Sequence, residues 1–322
     1  MEKMMTIPDR DDRAQLLLVA GLVIAVLFVG LALLVNTAIY TENVATRGSD
    51  AGTEALEYQG AVVTTVGGFV DAENADEESD ARDNIENGDG IAEIEAALDD
   101  QFLRRGGSTE LDHVAQTPGF LIFQNESRTF TDSDGVQNHT LAEDVDATRG
   151  FVLEVESAVE TGDPYNEAFH VALDIDGGGE HRYYVYEDDS SSDIVVAVGD
   201  EADTDPEAVC SLEPTGEPVS VDLTGKVLTS GTDRADCHDL EWPVGETYNI
   251  DYTYGDRAEG TYHLTVDADE NDIVANIIGL LSDPEQPYAF EAVYDVTVEV
   301  RYDSVTISYE TDVRIAPGEP DA

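Results

Sequence analysis

The chain has 322 residues, with 71 Asp and Glu against 15 Lys and Arg and a formal net charge of −56. So acidic a surface excludes nucleic-acid binding, which needs clustered positive charge. Hydrophobic residues make up 41% and recur with structural periods, which excludes intrinsic disorder for most of the chain. The acids are spread along the sequence, so they read as a solvent adaptation: in dilute buffer such a chain repels itself, and at about 1 M salt the Debye length falls to roughly 3 Å.

No charged residue occurs from Ala14 to Thr41, and Leu16–Val35 is almost wholly apolar. About twenty helical residues at about 1.5 Å each reach roughly 30 Å, the thickness of a hydrocarbon core. The run is longer than a secretory h-region, and no small-x-small cleavage site follows it. Lys3, Arg10 and Arg13 precede it and only Arg47 follows closely. By the positive-inside rule this gives a single-pass membrane protein, N-terminus cytoplasmic and C-terminal part extracellular.

Leu56, Val62, Val63, Val66, Phe69 and Val70 continue an amphipathic helical pattern to about residue 70, against the cost of Gly48, Gly52, Gly60, Gly67 and Gly68. Residues 71–117 read as an acidic linker followed by a short amphipathic helix through Ile91, Ile94, Leu98 and Phe102, closed by "RRGG". From 118 to 316 the period changes to two. "FLIFQ", "FVLEVESAV", "FHVALDID", "HRYYVYE", "DIVVAVG", "VSVDLTG", "TYNIDYTYG", "TYHLTVDA" and "YDVTVEVRYDSVTISYETDVRI" alternate as strands between turn sequences. Residues 317–322 read as a disordered tail. The expected fold class is α+β: one N-terminal transmembrane or pilin-like helix, then an extracellular all-β, sandwich-like domain.

Cys210 and Cys237 are the two cysteines. In an extracellular domain they read as a disulfide; the alternative, a metal site using Cys237 and His238, lacks ligand spacing. Asn125-Glu126-Ser127 and Asn138-His139-Thr140 are N-glycosylation sequons. Asp174, Asp176 and Glu180 of "DIDGGGE" offer oxygen ligands to Ca²⁺, but their simpler reading is a hairpin turn. The tyrosines of "RYYVYE" and "YNIDYTYG" read as core and edge packing, or as a glycan-binding face. No hydrolase, zinc-protease or P-loop motif is present. The six histidines, His113, His139, His170, His181, His238 and His263, are scattered, so no catalytic residue, cofactor or metal is assigned and no enzyme is expected.

The junction Arg13-Ala14-Gln15-Leu16 sets a basic and a small residue directly against the apolar run. This resembles archaeal, in particular haloarchaeal, type IV prepilins. The resemblance covers residues 10 to about 60. It implies that a prepilin peptidase cuts between Ala14 and Gln15 and that the apolar helix stays on the mature chain. It also implies homo- or hetero-assembly through that helix. The resulting expectation is a pilin-like cell-surface protein of a halophile, presenting its β-domain for adhesion or envelope assembly. Its alternative is a monomeric signal-anchored envelope protein whose β-domain binds a ligand or has an unrecognised hydrolytic activity.

Overall fold

The computed structural model describes residues 52–76, 80–158, 167–200, 206–277 and 286–320. The first described helix, α1, covers 52–75. It is followed by α2 (Ala81–Asn87) and α3 (Gly90–Leu103). The strands are β1 (Ser108–Thr129), β2 (His139–Val145), β3 (Ala147–Ala158), β4 (His170–Ile175), β5 (Glu180–Glu187), β6 (Ile194–Asp200), β7 (Glu207–Leu212), β8 (Val219–Asp222), β9 (Val227–Ser230), β10 (Asp233–Asp236), β11 (Tyr248–Thr253), β12 (Ala258–Asp267), β13 (Asn276–Ile277), β14 (Tyr288–Asp303) and β15 (Ser308–Ile315).

Two sheets result. The larger runs β10-β9-β8-β3-β12-β1-β14-β13, with β15 also paired to β14; the smaller runs β2-β11-β4-β5-β6-β7. Alternation puts Phe120, Ile122, Phe151, Leu153, Leu264 and Val266 of the larger sheet against Val171, Leu173, Tyr183, Val185, Ile250 and Tyr252 of the smaller, all buried in one core. At 22 and 16 residues, β1 and β14 outrun this sandwich. Their far halves, with β15, carry a second core of Leu111, Val296, Val298, Val300, Tyr302 and Val313 under the helices.

Helix α1 seals that second core with Ala55, Tyr58, Val62, Val66 and Val70, all buried and spaced by three or four residues. Full burial of each larger side chain contributes ~1.5–3 kcal/mol. Tyr58 sits edge-on to Phe102, centroids 5.2 Å apart, and its hydroxyl donates to the Glu110 carbonyl at 3.1 Å. One glycine of α1, Gly67, has a use that its low helix propensity hides. A Cβ on Gly67 would come within 3.2 Å of Pro317 Cγ, so that glycine lets the chain after β15 lie against the helix.

The α+β assignment built on a membrane-spanning N-terminal helix is corrected. The described residues are mostly strand, and among them no helix is long and apolar enough to cross a membrane. Glu54, Glu57, Asp71 and Glu73 stud α1, and its apolar stripe is spent on the sheet. The single-pass location, with a cytoplasmic N-terminus and an extracellular C-terminal domain, is not supported on the same finding. The apolar run 16–35 lies outside the described residues.

Two further expectations change. The stretch read as a solvated linker holds α2, started by Asp80, whose side chain accepts from the Asp83 amide at 3.2 Å, and anchored by buried Ile85. Residues 317–319, read as a disordered tail, are held: the Gly150 amide donates to the Gly318 carbonyl at 3.0 Å, and the Tyr294 hydroxyl and the Arg314 guanidinium both donate to the Glu319 carboxylate.

Candidate functional site

The outer face of the smaller sheet gathers the chemistry that the sequence scatters. Cross-strand register sets Thr140, Asp251, Ala172 and Arg182 in one row and Thr253, His170 and Tyr184 in the next. All lie on the face opposite the core residues Val171, Leu173 and Ile250. Ala172 is the short side chain among long ones, so it floors a hollow of about 550 Å³ lined by His139, His170, Glu180, Arg182, Asp251 and Tyr254, among others.

The groups in the hollow are mutually restrained. The Thr140 hydroxyl donates to the Asp251 carboxylate, and Arg182 pairs with Glu180. Burial lifts the Asp251 carboxyl above its ordinary pKa; the Thr140 hydrogen bond opposes this, and Glu180, Asp174 and Glu143 add to it. His170 is 4% exposed, with its ring 4.7 Å from that of Tyr184. Its Nδ1 lies 3.0 Å from the Ala168 carbonyl, which can only accept, so Nδ1 carries the proton in the neutral ring. Burial pushes the His170 pKa down to about 4. Burial lowers His139 as well, against the pull of Asp132. The hollow offers a carboxylate, a guanidinium and an imidazole around a small apolar floor, a hydrogen-bonding set for a small polar ligand.

A second depression, of about 660 Å³, lies on the larger sheet beside the end of α1. Phe123 and Phe290 floor it, edge to face with centroids 5.2 Å apart, with His263, Thr261, Arg149 and Asn125 around them. Burial lowers the pKa of His263, opposed by Glu154, Asp222 and Asp71.

The residues singled out in the sequence fall as follows. Cys210 of β7 and Cys237, just after β10, form a disulfide with Cα atoms 5.1 Å apart. It ties the edge of the smaller sheet to the edge of the larger. Asp174 and Glu180 face each other across the β4–β5 hairpin, whose turn carries Asp176 and Gly177 at φ 69°. Among the described residues, no three His, Cys, Asp or Glu side chains are grouped to hold a metal ion. Asn138 and Thr140 border the hollow, Asn125 borders the groove, and Arg13, Ala14 and Gln15 lie outside the described residues. Tyr183, Tyr248 and Tyr252 point into the core, while Tyr254 reaches the rim of the hollow. Sequence reasoning missed the convergence of His170, Arg182 and Asp251. Each occupies an outward position of its alternating strand, but only the pairing register brings them together.

A model of a family of unknown function, DUF7261, matches residues 10–115. The match takes in the three described helices and the first residues of β1 and leaves the sandwich outside it. No curated protein and no solved structure matches the chain.

Proposed function

We propose that the chain is a non-enzymatic, pilin-like surface subunit of a halophile. Its N-terminal region joins copies, and its β-rich part is presented for adhesion or envelope assembly. The carrying observation is that the apolar surface of α1 extends past the stripe it docks. Its inner stripe is docked on β1, β14 and β15, yet Leu56 and Val63, along the edge of that stripe, are 64% and 39% exposed. Gly60, between them on the helix surface, would meet nothing within 4 Å if it carried a Cβ, leaving room for a second helix. The apolar run 16–35 precedes this helix in the sequence, behind the Arg13-Ala14-Gln15 junction that a prepilin peptidase would cut.

The test is the native protein itself. An N-terminus at Gln15, together with sheared assemblies that Leu56→Glu/Val63→Glu dissociates at unchanged thermal stability, supports the reading. A chain retaining Met1–Gln15 that sediments as a monomer overturns it.

The hollow over Ala172 favours a second reading, a β-domain that binds a small polar ligand. That reading predicts a saturable ligand titration that Asp251→Asn abolishes, with assembly unaffected.

A further inference from the structure

We propose that Asn125, and not Asn138, carries an N-linked glycan, and that the first sugars of this glycan lie in the groove floored by Phe123 and Phe290.

The two sequons occupy different backbones. In the β1–β12 ladder Gln124 faces Tyr262 and the next paired residue, Arg128, faces Gly260. Asn125, Glu126 and Ser127 are thus bulged out against Thr261 alone, and all three are exposed. The Glu126 amide donates to Gln286 Oε1 at 3.3 Å, while no hydrogen bond among the described residues engages the side chain of Asn125 or Ser127. An acceptor segment must be lifted into the transferring enzyme with its amide and its hydroxyl both available, and this bulge offers both.

Asn138-His139-Thr140 is committed elsewhere. Asn138 Oδ1 accepts from the Tyr254 amide at 2.9 Å, holding Tyr254 in the left-handed region at φ 54°. His139 and Thr140 pair with Tyr252 and Asp251 of β11, and the Thr140 hydroxyl is spent on the Asp251 carboxylate. Using this sequon means peeling β2 from β11 and uncovering Leu141 and Ala142, both buried in the sandwich core.

The chemistry needs an activated donor, a sugar linked through diphosphate to a lipid. The Asn125 amide nitrogen forms a bond to the anomeric carbon, the bond from that carbon to the diphosphate oxygen breaks, the lipid diphosphate leaves, and the amide gives up one proton. Asn125 itself lines the groove. A sugar joined there starts at the rim of an aromatic floor, and the C–H face of a pyranose packs on aromatic rings such as Phe123 and Phe290. Thr261 and His263 of β12 line the same groove and offer polar partners to its hydroxyls. The glycan is thereby the occupant of an apolar strip on an otherwise acidic surface. The inference needs export but not assembly, so it stands or falls apart from the pilin-like reading.

The experiment is glycopeptide mass spectrometry of the full chain from a halophilic host that glycosylates its surface proteins, with Ser127→Ala and Thr140→Ala variants. The expected result is a sugar mass on the Asn125 peptide alone, lost in Ser127→Ala and kept in Thr140→Ala. A bare Asn125, or a sugar on Asn138, overturns the assignment. Amide exchange of strands β1 and β12 around Phe123 and His263 should be slower in the glycosylated chain than in Ser127→Ala. Equal exchange overturns the placement of the sugars in the groove.

Discussion

Arg149 Nη1 stands 2.8 Å from Asp71 Oδ1, joining strand β3 to the end of helix α1 at the boundary between the two cores. The arginine side chain is 3% exposed and the aspartate 53%. Three further donors are spent: Nε on the Tyr294 carbonyl at 2.6 Å, Nη2 on the Val293 carbonyl at 3.0 Å, and Nη1 again on the Pro317 carbonyl at 2.9 Å. One guanidinium thus closes α1, β14 and the chain after β15 on β3. Replacing it takes the side-chain donor from the buried Tyr294 carbonyl and from that of Pro317, while the Val293 carbonyl keeps Asn74 Nδ2 at 2.8 Å. Arg149→Met should cost about 1–3 kcal/mol, the range for leaving a buried hydrogen-bonding group unsatisfied. Asp71→Asn removes only a half-exposed partner and should cost about 1 kcal/mol or less. Urea unfolding of both variants in molar salt checks the asymmetry, and equal losses would refute it.

The Cys210–Cys237 disulfide closes a loop of 27 residues between edge strands of different sheets. The chain-entropy estimate for that loop is about 3.5 kcal/mol. Reduction, or Cys210→Ala/Cys237→Ala, should lower the unfolding free energy by about 2–4 kcal/mol and leave native-state circular dichroism unchanged. Alkylation of both thiols in denatured, unreduced protein would show that the bond is absent.

How much of this was legible in the sequence depends on the range over which each feature is decided. The alternation of "FHVALDI" or "TYHLTVD" is local, so strands β4 and β12 could be read directly. The sequence "STELDHVAQT" alternates poorly in hydrophobicity, and it is strand only because β14 pairs along its whole length, from Ser108 with Asp303 onward. The acidic stretch around Ile85 looks like solvated linker until Asp80 caps it and the β14 face buries it. Glycines argue against a helix at 60–68, and the tertiary reason for one of them, the approach of Pro317 to Gly67, is set some 250 residues away. The hollow failed for the same reason: His170, Arg182 and Asp251 share a neighbour in Ala172 only through strand register. The cysteines were legible because a chain with two of them has a single pairing.

His170 makes stability pH-dependent. Its folded pKa of about 4 lies below the ordinary 6.5 because the ring is buried; the Ala168 carbonyl bond pulls it up, Arg182 pushes it down and Glu180 pulls it up. Below pH 6.5 the unfolded chain takes up a proton that the folded ring refuses until about pH 4. The contribution is therefore complete above pH 6.5 and is lost as pH falls towards 4, on the order of 3 kcal/mol in all. His139 and His263, also lowered by burial, add in the same direction. Between pH 7.5 and 5 the urea midpoint of the wild-type chain should fall further than that of His170→Phe. Equal falls would show that the ring titrates normally.

The last prediction concerns salt, and the chain carries its own reporter. Trp242 is the one tryptophan. It is 6% exposed, stacks on Tyr183 with centroids 5.3 Å apart, and donates its indole N–H to the Tyr248 hydroxyl at 3.2 Å. Its emission therefore reports whether the two sheets are closed. The positive charges are already used locally: Arg82, Arg104, Arg105, Arg149, Arg182, Arg301 and Arg314 each pair with a carboxylate. Nothing comparable offsets the remaining acids of a chain at −56, so their mutual repulsion is left to the solvent. At about 0.1 M salt the Debye length is roughly 10 Å, long enough for neighbouring surface carboxylates to repel; near 1 M it is roughly 3 Å. Dialysis from molar to 0.1 M NaCl should shift Trp242 emission to the red and remove near-ultraviolet circular dichroism. If screening is the cause, KCl and NaCl should restore both signals at equal ionic strength. A native spectrum retained at 0.1 M NaCl, or recovery with one cation alone, would show that bulk charge repulsion is not what salt relieves.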